Sequence, residues 1–363
     1  MKLVLIAGLA TSLGASSIAL AQSCVSTNSP PPPKQTAAAA TPDQAEPDMQ
    51  SVLDTLASLG PKPIEALTPV KARLQPSAAD ATRAVMRKKG LSTAPDLTVM
   101  TEDIAYGPDP MQFARVYKPA AEPASSPLPV VVYYHGGGWV IADVNTYDAT
   151  PRLLAKQLNA IVVSVEYRRA PEAKFPAQHD DAAMAYQWTL KNAESWGGNP
   201  AKVALAGESA GGNLAVATAV FARDHGLAAP IHVLAIYPIA NSDMDLPSRM
   251  DSANAKPLNK AMLGWFGYYY SKTKADQLDP RINLVKANLR DLPPTTIVNA
   301  QIDPLRSDGE TLATAMKAAG DKVEQKTFPG VTHEFFGMGA VVRGAYDANA
   351  YAVSRLRAAF GEK

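Results

Sequence analysis

Residues Gly207-Glu208-Ser209-Ala210-Gly211 constrain this chain more than any other stretch. A serine flanked by glycines at this spacing marks a sharp turn between a strand and a helix, which pushes the hydroxyl into the open. The surroundings fit. Residues 202–206 form a short apolar run bounded by Asn199-Pro200, as expected for a strand buried on both faces. Residues 213–222 are rich in alanine and free of glycine and proline, and read as a buried helix. That helix directs its positive end at the turn, where it favours a developing negative charge. Further β-branched runs at 129–134, 161–165 and 295–300 alternate with helical stretches such as 180–196. The alternation predicts an α/β fold, a mostly parallel sheet with helices on both faces.

A second motif, His135-Gly136-Gly137-Gly138, follows the run 129–134. Glycines put no side chain in the way, so backbone N–H groups here can approach an oxyanion. His135, at the strand end, reads as a brace for this loop rather than as a base. An activated serine needs a base, and the base needs an orienting carboxylate, in the chain order Ser, Asp or Glu, His. Three histidines follow Ser209. His225 sits at an exposed helix end and His232 within a strand-like run, whereas His333 lies in the loop-like stretch 328–336. His333 is therefore the expected base. Asp303 follows the run 295–300 and precedes a proline; it is the expected acid, with an Asx turn as its plainer role. Asp308 and Glu310 fall in the first turn of the next helix, where the dipole alone favours acids.

At this point the chain resembles the hormone-sensitive-lipase-like bacterial esterases and lipases of the α/β-hydrolase fold. The matching stretches are Tyr134-His135-Gly136-Gly137-Gly138-Trp139, residues 165–172, Phe175-Pro176-Ala177, residues 207–214, Asp303-Pro304-Leu305-Arg306 and His333-Glu334-Phe335. They spread over most of residues 98–360. The resemblance implies Ser209 as nucleophile, His333 as base and Asp303 as its partner. It implies an oxyanion hole from the N–H groups of Gly137, Gly138 and Ala210, with His135, Gly136 and Glu208 in support. It also implies a helical cap from about 48–97 and 241–279, the latter carrying the aromatic run 265–270, and esters of short to medium acyl chain as substrates. Two departures stand out: Glu208 where the group often carries Asp, and Arg306-Ser307-Asp308-Gly309-Glu310 where Arg-Asp-Glu-Gly is common. An amide or lactone hydrolase on the same triad, and a non-catalytic binding protein, are the alternatives.

The rest of the sequence narrows the setting. Residues 1–21 read as a secretory signal peptide, with a cut before Gln22. Residues 22–47, with their proline and alanine runs, read as a low-complexity tether. The domain then spans 48–363, and the product is expected in the periplasm or secreted. Cys24 is the only cysteine, so no intramolecular disulfide forms; lipid attachment at Cys24 is the alternative to a free chain. Lys plus Arg total 35 against 34 Asp plus Glu, which gives no electrostatic case for nucleic acid or an anionic membrane. The 5 histidines lack metal-ligand spacing, and adjacent Asp180 and Asp181 point apart on a helix, so neither metal nor organic cofactor is expected.

Overall fold

The computed structural model describes residues 44–120 and 126–361. The stretches read as a signal peptide and, up to residue 43, as a tether, Cys24 included, lie outside the described residues. Eight strands form one sheet: β1 (Val99–Ala105), β2 (Phe113–Pro119), β3 (Leu128–Tyr134), β4 (Ile161–Glu166), β5 (Gly198–Glu208), β6 (Val233–Ile236), β7 (Thr295–Ile302) and β8 (Val323–Thr332). Their order is β1-β2-β4-β3-β5-β6-β7-β8. β1 pairs with β2, and β2 with β4, in antiparallel fashion; every other ladder is parallel.

The helices are α1 (Pro47–Ser58), α2 (Pro69–Ala72), α3 (Ala78–Lys88), α4 (Ala149–Leu158), α5 (Ala177–Asn192), α6 (Ala210–Asp224), α7 (Pro247–Asp251), α8 (Lys260–Tyr270), α9 (Arg306–Ala318) and α10 (Arg343–Phe360). The sheet separates two apolar cores. On β3, Val130, Val132 and Tyr134 face one core with α5, α6 and α9, while Val131 and Tyr133 face the other with α4 and α10. This explains why the central strands read as unbroken apolar runs.

Several boundaries differ from the sequence reading. α1 begins at Pro47, and Glu46 already donates its N–H to Gly330 O at 2.8 Å, so the chain docks at the end assigned to the tether. β5 starts at Gly198, ahead of Asn199-Pro200, because a register shift between Leu128 and Val130 absorbs the irregular stretch. The helix expected over 180–196 is α5, followed by a 3₁₀ turn, Ala193–Trp196. α6 starts at Ala210, three residues early, because the elbow itself launches it. Residues 328–332 belong to β8 rather than to a loop. β8 is an edge strand, where Pro329 costs no ladder bond on the open side.

Candidate active site

Three parallel strands each deliver one polar side chain at their C-terminal ends, where open α/β sheets collect their ligands. Ser209 follows β5, Asp303 follows β7 and His333 follows β8. Ser209 has φ 58° and ψ −118°, a region L-residues rarely occupy, and its N–H is pinned to Ile236 O at 2.9 Å. The tightness of this turn requires glycine at 211. A Cβ there would lie 1.9 Å from Tyr134 O and 2.6 Å from His135 O, so the elbow closes directly onto the end of β3.

His333 Nε2 lies 2.9 Å from Ser209 Oγ, and Nδ1 lies 2.7 Å from Asp303 Oδ2. Asp303 is fully buried, and its other oxygen accepts the Leu305 N–H at 2.8 Å. The carboxylate must therefore accept from Nδ1–H, which leaves Nε2 bare to accept the serine proton. Burial pushes the imidazole down; the Asp303 charge and its hydrogen bond, then Glu334 and Glu208, outweigh it and leave His333 above the ordinary histidine value.

Gly137 stands at φ +96° and Gly138 at +59°. Among the described residues, the N–H groups of Gly137 and Gly138 have no backbone acceptor, and Ala210 opens α6, whose first N–H groups have no intrahelical partner. Free donors at these three positions can stabilise an anion. His135 braces the loop: its Nδ1–H donates to Gly136 O at 2.8 Å, and its ring stacks on Tyr167 at 4.3 Å between centroids. Glu208 is buried behind the elbow. It accepts hydroxyl bonds from Tyr133 at 2.7 Å and from Tyr237, yet burial pushes its carboxyl up to about 7.

Ser209, Gly137, Gly138, Ala210 and His333 line a cavity of about 560 Å³. Leu53, Leu56 and Ile64 close it from the N-terminal helices, and Met244, Leu263 and Phe266 from the segment between β6 and β7. Glu334 also lines it and accepts the Tyr147 hydroxyl at 2.6 Å.

The remaining candidates fall elsewhere. His225 is exposed and bonds Phe221 O within its own helix. His232 is buried and bonds Thr296 Oγ1. Asp308 corrects the dipole reading. It is fully buried and accepts from Ala240 N, Asn241 N and Arg249 Nη2 at 3.0, 2.9 and 2.8 Å, so it anchors the start of the β6–β7 connection. Asp181 likewise pairs with Arg168 at 2.7 Å. Among the described residues no group of three His, Cys, Asp or Glu side chains could hold a metal.

One element of the site has no sequence signal. His179, on α5, bonds Asn213 Oδ1 and the Tyr270 hydroxyl, both at 3.0 Å. Tyr270 stacks on Trp139 at 4.2 Å between centroids, which ties α8 to the glycine loop. These partners stand 34 and 91 positions from His179, so no local pattern announces them.

A family model described as the α/β-hydrolase fold matches residues 131–337. The chain belongs to the α/β-hydrolase family, in its hormone-sensitive-lipase-like esterase group. It is similar to carboxylesterase NlhH of Mycobacterium tuberculosis, 36% identical over 326 residues that cover 88% of this chain and 98% of that one. It is similar also to esterase LipI of the same organism, 37% identical over 267 residues, 72% and 82% of the two chains. Among solved structures, a hyperthermophilic esterase from the archaeon Pyrobaculum calidifontis superimposes with a TM-score of 0.77 at 32% identity, covering 87% of this chain and 98% of that one.

Proposed function

We propose that this protein is a carboxylic ester hydrolase that works through an acyl-enzyme on Ser209. The hydrogen-bonded line Asp303–His333–Ser209, opening on a cavity beside three free N–H donors, carries this reading. His333 Nε2 takes the Ser209 proton as Oγ attacks the ester carbonyl. The oxyanion settles among the N–H groups of Gly137, Gly138 and Ala210; one such donor is worth about 3–4 kcal/mol of transition-state stabilisation. The imidazolium returns its proton to the departing alcohol. Water then enters, gives its proton to Nε2 and attacks the acyl carbon, and Ser209 leaves with that proton as the acid is released. Asp303 holds the tautomer throughout.

Residues 48–97 and 241–279 act as a cap over the cavity, which suits acyl chains of short to medium length. In this reading residues 1–21 direct export to the periplasm or medium, and mass spectrometry of the mature N-terminus distinguishes a free chain from one lipidated at Cys24. The central test is covalent. A fluorophosphonate probe labels Ser209, and the full chain hydrolyses p-nitrophenyl esters in a chain-length series. Ser209→Ala loses both while its thermal unfolding stays as in the wild type; turnover near normal in that variant refutes the assignment.

A further inference from the structure

The turn after His333 carries a side chain that the steps above leave idle. Glu334 stands at φ +70°, in the left-handed region that glycine enters freely and other residues enter at a cost. A residue held there against strain points to work done by its side chain. That side chain lines the cavity, and its Oε1 lies 4.0 Å from His333 Nε2. The Tyr147 hydroxyl donates to the same oxygen at 2.6 Å. Tyr147 is itself seated over the glycine loop: a Cβ on Gly136 would come 2.3 Å from its hydroxyl oxygen. The carboxylate is thus tied to the loop on one side and presented to the imidazole on the other.

Asp303 serves the Nδ1 edge of the ring. Glu334 faces the Nε2 edge, the one that becomes charged when Ser209 gives up its proton. We propose that Glu334 is a second carboxylate for His333, a positioning residue that stabilises the imidazolium from its Nε2 side and so sets the pH at which the site becomes active. The inference rests on His333 being the base.

Other groups around the ring do not replace it. Tyr237 lies with its ring 4.5 Å from that of His333, and its hydroxyl, like those of Tyr133 and Tyr147, stays neutral because burial pushes it well above the ordinary phenol value. Glu208, reached across Tyr237, is the remaining acid on this side, with its carboxyl raised to about 7. Among the described residues Glu334 has no cationic partner other than His333. In water a unit charge 4 Å away shifts a titration by a little under one pH unit, and by more where solvent is partly excluded.

The protonated imidazole cannot accept the serine proton, so activity rises with pH through the titration of His333. Removing the Glu334 charge makes the ring less basic and moves that rise to lower pH. The experiment measures kcat/KM for a p-nitrophenyl ester across the pH range on the full chain, with Glu334→Gln, Glu334→Gly and Glu334→Asp. Gln and Gly are each expected to shift the acid limb down by about one pH unit. Asp, which keeps a carboxylate, holds the limb near its wild-type position. Gly suits the left-handed backbone, so that variant folds even if Gln does not. An acid limb that stays in place in the folded variants lacking the carboxylate overturns the inference, whatever happens to the plateau. A wild-type chain that neither labels at Ser209 nor turns over an ester at alkaline pH overturns the reading of His333 beneath it.

Discussion

An Asp303→Asn variant keeps the shape of the side chain, so its effect can be followed atom by atom. In the wild type one carboxylate oxygen accepts the Leu305 N–H at 2.8 Å and the other faces His333 Nδ1 at 2.7 Å. Asparagine has one acceptor and one donor for these two places. With its oxygen left on Leu305, its NH₂ donates to Nδ1, which forces the ring proton onto Nε2. The ring then points a donor at Ser209 Oγ and cannot take the serine proton. With the amide turned over, the ring is correct but two donors confront each other in a fully buried site, at about 1–3 kcal/mol for the unmade bond. The imidazolium also loses a charge-assisted bond, about 2–3 kcal/mol. Together these terms give about 3–6 kcal/mol, a fall of roughly 10²–10⁴ in kcat/KM. The cavity lining does not include Asp303, so the loss falls on kcat rather than KM. Steady-state hydrolysis of a p-nitrophenyl ester measures both, and a melting curve verifies the fold. A folded variant within tenfold of wild-type kcat would mean that Asp303 does not set the imidazole tautomer.

Gly211→Ala drives a Cβ to within 1.9 Å of Tyr134 O, with backbone on both sides. It should cost at least about 3 kcal/mol of stability in urea unfolding and lower kcat as β3 and the elbow part. Arg249→Met strands Asp308, whose buried carboxyl stands at about 6 even with the guanidinium beside it. The raised pKa means that folding favours the protonated acid, so the stability it contributes is present below its ordinary value of 3.8 and lost as pH rises. The variant should therefore be destabilised by about 3 kcal/mol at pH 8 and by less at pH 5, in chemical melts at the two pH values. Glu208 follows the same sign: its contribution is complete below 4.5 and lost as pH rises through about 7. Glu208→Gln should reduce the fall of stability over that window by about 3 kcal/mol, visible as a melting temperature that falls less steeply from pH 5 to 8 than in the wild type.

The chemistry was legible where it is local. A serine elbow and a glycine loop are defined by residues within a few positions of one another, and each carries its conformational demand in its own composition. Asp303 was legible because it follows the strand-like run 295–300, and His333 because the other histidines after Ser209 read as a helix end and a strand residue. What escaped depends on distant partners. The sequence presents Asp308 as a first-turn acid; only the fold brings Arg249, 59 positions earlier, beside it. Pro329 and Gly330 disguised the end of β8 because an edge strand tolerates both. Asn199-Pro200 disguised the start of β5 because the register shift opposite Leu128 accommodates it. β2 carries no unbroken apolar run because it is an antiparallel strand with charged Arg115 between buried Ala114 and Val116.

The connection between β6 and β7 separates two strands that are immediate neighbours in the sheet, with Val233 paired to Thr295. Residues 241 to 294 therefore form an excursion that supplies none of the three triad side chains. Its fastenings to the body include those where Arg249 meets Asp308, where Ser248 meets Ser307 and Pro304, and where Tyr270 meets His179. Such a segment is an exchangeable cassette. A replacement that keeps such fastenings can re-line the cavity for a different acyl group while the reacting atoms stay where they are, so the choice of substrate can drift in evolution, or be redesigned, independently of the power to cut.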